Sequence, residues 1–121
     1  MGEKRFRFEG LEIWQKAADF SDGLFDLAEV LDERRFYRFA EQLRSATMSI
    51  TNNIAEGSGS VSDAEFVSFL NYVRRSVFET ANQLMLLSRK GYLHSEAVGP
   101  FLTELEEESR MILAFIRSLR S

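Results

Sequence analysis

Four stretches of this chain carry apolar residues at alternating steps of three and four, and one proline, Pro100, is all that breaks into them. That spacing is the period of an α-helix; a β protein of this length would need turn residues about every ten positions. In the first stretch, residues 10–31, Leu11, Trp14, Ala17, Ser21, Leu24, Ala28 and Leu31 form the stripe, and Ile13, Phe20 and Leu27 widen it. Asp19, Asp22, Asp26 and Glu29 fall on the opposite, outer side. Gly23 costs about 1 kcal/mol relative to alanine inside a helix, so it marks either a close helix contact or a tolerated defect. The second stretch, 36–56, places Leu43, Ala46 and Ile50 on its stripe and runs into Gly57-Ser58-Gly59-Ser60, where a glycine is expected to close the helix in the left-handed conformation. Ser62 and Glu65 read as a capping box opening a third helix, 62–90, which ends at Lys90-Gly91. The fourth helix, 96–119, has Phe101, Leu105, Ile112, Ile116 and Leu119 on its seam. Pro100 fits its first turn; a start at Ser95 would place the proline a turn too deep and kink the helix. Short connections make sequential helices antiparallel neighbours, so the expected fold is all-α, a single-domain up-down-up-down four-helix bundle over residues 1–121.

Residue usage removes most chemistry from consideration. The chain has no cysteine and one histidine, His94, which excludes thiolate metal sites and disulfide frameworks and leaves no inward Glu-x-x-His pair for a di-iron bundle. The glycines at 57 and 59 lack the lysine of a phosphate-binding loop and follow no strand, so they read as an interhelix turn. Glu104, Glu106, Glu107 and Glu108 could pair for acid–base work but read as a solvated face near the positive end of helix four. His94 reads as an exposed loop residue, and Trp14 as a core or interface anchor. No catalytic residue, cofactor or metal is expected, and the chain is read as a non-enzyme. The basic N-terminus, Met1 to Phe8, lacks the apolar run of a signal peptide, and no stretch is apolar enough to span a membrane, so the expected location is cytoplasmic.

Two features ask for more. Ser49, Thr51, Asn52 and Asn53 put poor helix formers inside helix two, with Asn53 on or beside the apolar stripe. A buried amide needs a partner, either within the bundle, where it would fix register, or on a ligand or neighbouring subunit. Charge is also divided unevenly: residues 10–32 carry −5 and 94–121 carry −2, while 33–56 and 62–90 carry +1 each, on a chain of net charge −4. Arg34, Arg35, Arg38 and Arg44 on helix two, with Arg74 and Arg75 on helix three, therefore form a candidate basic patch on an acidic protein.

The segment Gln42 to Ile50, followed by Asn53-Ile54-Ala55-Glu56-Gly57, resembles a bacterial family of four-helix bundles encoded by intervening sequences within large-subunit (23S) rRNA genes and often labelled ribosomal-protein-like. Leu11-Glu12-Ile13-Trp14-Gln15-Lys16-Ala17, Glu65-Phe66-Val67-Ser68-Phe69-Leu70 and Gly91-Tyr92-Leu93 extend the likeness over nearly the whole chain. The resemblance implies a bundle that assembles as a ring-like homopentamer. It also implies kinship with the accessory variability determinant of diversity-generating retroelements, which binds nucleic acid through a basic surface. This chain departs from the family where Ser45 replaces a second basic residue after Arg44 and where no arginine follows Gly57; Arg75 adds a charge in helix three where the family has glycine. The resulting expectation is a homo-oligomeric bundle associated with RNA or DNA, RNA first, through Arg34, Arg35, Arg38, Arg44, Arg74 and Arg75. The alternative is a protein-interaction or scaffolding module that binds no nucleic acid.

Overall fold

Four long helices hold most of residues 3–121, the part of the chain that the computed structural model describes; Met1 and Gly2 lie outside it. They are α1 (Glu12–Glu33), α2 (Tyr37–Ser58), α3 (Asp63–Arg89) and α4 (Ser95–Arg120), with one turn of 3-10 helix, Arg7–Gly10, ahead of α1. Each helix packs on the next, and α1 meets α4 along the sparsest seam, which closes the bundle. The stripes read from the sequence meet in one core, where Leu24, Leu31, Leu43, Ile50, Ile54, Leu70, Leu84, Leu105 and Ile112 are fully buried. Each such side chain contributes roughly 1.5–3 kcal/mol by leaving water. Ile13, Phe20 and Leu27, which make the α1 stripe wide, are buried too, because α1 packs against α2, α4 and the 3-10 turn. The full width of the α1 stripe is used up inside the chain.

Two of the helical glycines, Gly57 and Gly23, sit where a neighbouring helix comes close. A Cβ on Gly57 would lie 2.6 Å from the Phe69 Cβ and 2.8 Å from the Phe66 ring, so the last turn of α2 touches α3 at a distance only glycine allows. A Cβ on Gly23 would lie 2.3 Å from the tip of the Phe101 ring, which makes this the close contact between α1 and α4.

Helix ends depart from expectation in three places. The turn after α2 is right-handed: Gly57 and Ser58 remain helical and Gly59 caps at φ −86°. The left-handed closures belong to Gly91, where the third helix was expected to end, and to Arg35, at φ 75° and 68°. In both, the residue after the left-handed one bonds back five positions, Tyr92 N–H to the Leu87 carbonyl at 2.9 Å and Phe36 N–H to the Leu31 carbonyl at 2.8 Å. These are paired Schellman closures, and the one at Arg35 bears the steric cost of a side chain. At the start of α3, Ser62 Oγ accepts the Glu65 N–H at 3.2 Å, one half of the expected capping box. Helix α4 begins at Ser95 with His94 as its N-cap, so Pro100 lies within the helix, on its exposed side.

Candidate nucleic-acid interface

The connections 34–36 and 90–94 lie at one end of the bundle, and a single side chain ties them together. The Arg34 guanidinium donates to the Gly91 carbonyl at 3.0 Å and to the Tyr92 carbonyl at 2.7 Å, satisfying backbone acceptors freed at the end of α3. Its plane lies 5.3 Å from the centroid of Phe36. Phe36 stacks on Tyr92 with centroids 3.9 Å apart and planes 17° from parallel, and Phe39 leans on Tyr92 at 5.7 Å. Three aromatic rings and one guanidinium thus form a continuous stack across two loops far apart in sequence.

Around this stack the charge is positive. Segments 33–38 and 89–96 together hold five cations, Arg34, Arg35, Arg38, Arg89 and Lys90, against two acids, Glu33 and Glu96. Arg35, Arg38, Arg89 and Lys90 are exposed, and none makes an ion pair among the described residues. Neither Phe36 nor His94, the N-caps of α2 and α4, supplies a side-chain hydrogen bond, so both positive helix ends open here without an internal acceptor.

The six arginines singled out in the sequence therefore divide into four groups. Arg35 and Arg38 are free at the basic end. Arg34 is at the same end but its donors are engaged in joining the loops. Arg44 is bound by Asp32 of α1 and by Glu41 at 3.0 Å, and both carboxylates hold its guanidinium pKa above the ordinary value, Asp32 foremost. Arg74 and Arg75 lie elsewhere, their guanidinium groups 5.5 Å and 5.7 Å from the rings of Phe78 and Tyr72. Ser49 Oγ meets Ser76 Oγ at 2.6 Å, which sets α2 level with α3 at that point. Counting back from Ser49 to Arg38 at 1.5 Å per residue separates the two arginine groups by about 17 Å along the bundle. They do not form one patch.

The polar segment of α2 is accounted for internally. Asn53 donates to the Ser49 carbonyl at 2.8 Å and to Ser49 Oγ at 3.1 Å, and Ser49 continues the string to Ser76 on α3. Thr47 and Thr80, both fully buried, donate to the carbonyls one turn back, Leu43 and Ser76. Within Asn53-Ile54-Ala55-Glu56-Gly57, Asn53 holds this string, Ile54 is core, the Ala55 carbonyl accepts from Ser58 Oγ, and Gly57 admits α3. Glu56 alone faces solvent. The motif serves the α2–α3 seam rather than a ligand.

The acidic run on α4 is not one solvated face. Glu104 and Glu107 accept from Lys16 of α1 at 3.1 Å and 2.9 Å, while Glu108 is fully buried with neither carboxylate oxygen hydrogen-bonded among the described residues. Glu108 falls one turn from Leu105 and one from Ile112, on the core stripe itself. Burial pushes its pKa up to about 8, against the partial counter-pull of Lys16 and with the Glu104 charge adding to the rise. No group of three or more histidine, cysteine, aspartate or glutamate side chains among the described residues is placed to hold a metal.

A second uncovered surface lies on α3. Phe78 is 61% and Met85 51% exposed, and with Val77, Ala81, Leu102 and Leu105 they line a groove of about 520 Å³ between α3 and α4. No helix is long and apolar enough to cross a membrane.

No curated protein matches the sequence. Among solved structures, the chain is similar to a protein of unknown function from the S23 ribosomal protein family of Bacteroides thetaiotaomicron, at 25% identity and a TM-score of 0.82 over 86% of this chain and 97% of that one. The 23S rRNA-intervening sequence protein family matches residues 9–114, which contain most of the core stripes and the Asn53–Gly57 motif. On that match, and on a shared four-helix architecture, the chain belongs to the 23S rRNA-intervening sequence protein family.

Proposed function

We propose that this protein is a non-enzymatic, self-associating bundle that holds RNA at its basic end. The observation that carries the reading is the set of four exposed, unpaired cations, Arg35, Arg38, Arg89 and Lys90, gathered by the Arg34 tether at one end of a chain whose net charge is −4. The fold uses Arg34 to hold the two halves of this cluster together. Phosphate oxygens satisfy such cations without demanding sequence. Self-association draws its support from the α3 face: an apolar groove flanked by Phe78 and Met85 is the kind of surface that a second copy covers. A homopentamer is the assembly that the family resemblance implies.

Fluorescence anisotropy with labelled single-stranded RNA, titrated at several salt concentrations, tests the reading. The Arg38→Ala/Lys90→Ala variant should bind more weakly and lose about 1.4 from the slope of log affinity against log salt, two contacts at 0.7 each. Arg74→Ala/Arg75→Ala should leave the slope nearly unchanged. The opposite ranking would move the interface to α3. The same α3 face favours a second reading, a protein-docking module; co-purification of a protein partner that survives nuclease and is lost in Phe78→Glu would favour it.

A further inference from the structure

We infer that the basic end recognises unpaired RNA by stacking a base on Tyr37, so that it prefers single strands to duplex; this rests on the RNA reading above. Tyr37 is the first residue of α2 and is 59% exposed, and it takes no part in the ring stack beside it or in any side-chain hydrogen bond among the described residues. The core needs nothing of it. Phe36 on one side closes α1 and stacks on Tyr92, and Phe39, 42% exposed, continues that stack outward. Tyr37 and Phe39 offer two partly open aromatic surfaces in the first turn of α2, two positions apart and so on different sides of the helix; Phe39 leans on Tyr92, and Tyr37 stands clear of the stack.

Cations share this end of the bundle. Arg35 and Arg38 flank Tyr37 in sequence, and Arg89 and Lys90 precede the 91–92 turn that the Phe36–Tyr92 stack and the Arg34 bonds hold beside the start of α2. Phosphate-binding charge around exposed aromatic faces is the arrangement by which proteins hold single strands, because every base has a π-face and a backbone to neutralise. A duplex cannot use it. Its bases are already stacked on one another, and its A-form grooves call for a long complementary surface rather than two rings at a helix start. The two acids present, Glu33 and Glu96, leave the charge balance at this end positive. The complementary charge argues for a polyanion over an apolar peptide as the occupant.

The full chain should be titrated with an oligoadenylate of about twelve nucleotides and with an RNA duplex of matching length, within the span of known single-strand sites. Tyr37→Ala, Tyr37→Phe and Tyr37→Leu would be compared, each checked for an unchanged melting temperature. The expected result is tighter binding of the single strand, a roughly ten-fold loss in Tyr37→Ala and Tyr37→Leu, and retention in Tyr37→Phe, with duplex binding unmoved by all three. Equal affinity for both RNAs, or an equal loss on both, would overturn the stacking inference while leaving RNA association standing. Failure of the wild-type chain to bind either RNA at low salt would overturn both, and would turn attention to a protein partner at this end.

Discussion

Glu108→Gln should stabilise this protein at alkaline pH and leave it nearly unchanged in acid. The carboxyl is fully buried and its oxygens are unbonded among the described residues, so the folded state holds the proton up to about pH 8, whereas the same group in the unfolded chain releases it near 4.5. A folded-state pKa raised above the unfolded one means that the folded chain binds the extra proton. Stability is therefore highest below pH 4.5, falls as pH rises between the two values, and levels off above about 8. At 1.36 kcal/mol per pH unit the loss reaches about 3 kcal/mol by pH 7 and about 5 kcal/mol beyond pH 8, the ceiling for an interior that does not relax. Glutamine keeps the shape and the polar burial of the protonated acid but cannot ionise. Urea unfolding of both proteins between about pH 5 and pH 9 isolates the effect, since every other titrating group cancels in the difference. The gap should be near zero at the acid end and widen to several kcal/mol at the alkaline end. A gap that does not change with pH would refute the reasoning and mean that the carboxylate finds a partner or water on ionising.

Three stability predictions rest on geometry alone. Gly57→Ala should cost about 1–3 kcal/mol in chemical denaturation, because its Cβ would meet the Cβ of Phe69, which cannot retreat without moving α3. Gly23→Ala should be much milder by the same measurement, since the Phe101 ring tip can swing away and alanine returns about 1 kcal/mol of helix propensity. Arg35→Gly should raise stability by about 1 kcal/mol, read as a higher melting temperature, by relieving a left-handed residue at φ 68°; an unchanged or lower value would show that the arginine side chain contributes to the fold.

The helices were legible because their stripes are periodic and their punctuation is strong: Gly91 closes α3 as its position suggested, and Ser62 caps it. The Asn53 question also resolved within what the sequence offered, as a hydrogen bond inside the bundle. Glu108 was misread because its charge outweighed its register. In a run of acids at 104, 106, 107 and 108, successive side chains point about 100° apart, so one of them must fall beside Leu105 and Ile112. Arg34 and Arg44 could not be sorted from the free arginines, since their partners, Gly91, Tyr92 and Asp32, lie across tertiary contacts. The breadth of the α1 stripe signalled neighbours correctly, but those neighbours are α2, α4 and the 3-10 turn. The surface left uncovered, Phe78 and Met85 on α3, looks in sequence like the back of an ordinary amphipathic helix.

Hydrogen exchange of the full chain, read by mass spectrometry with and without a saturating single-stranded RNA, tests the central claim most directly. Slowed exchange is expected only in peptides spanning 33–39 and 89–96, with the outer face of α3 around Arg74, Arg75 and Phe78 unchanged by RNA. Protection centred on that α3 face, with none at the loop end, would contradict it.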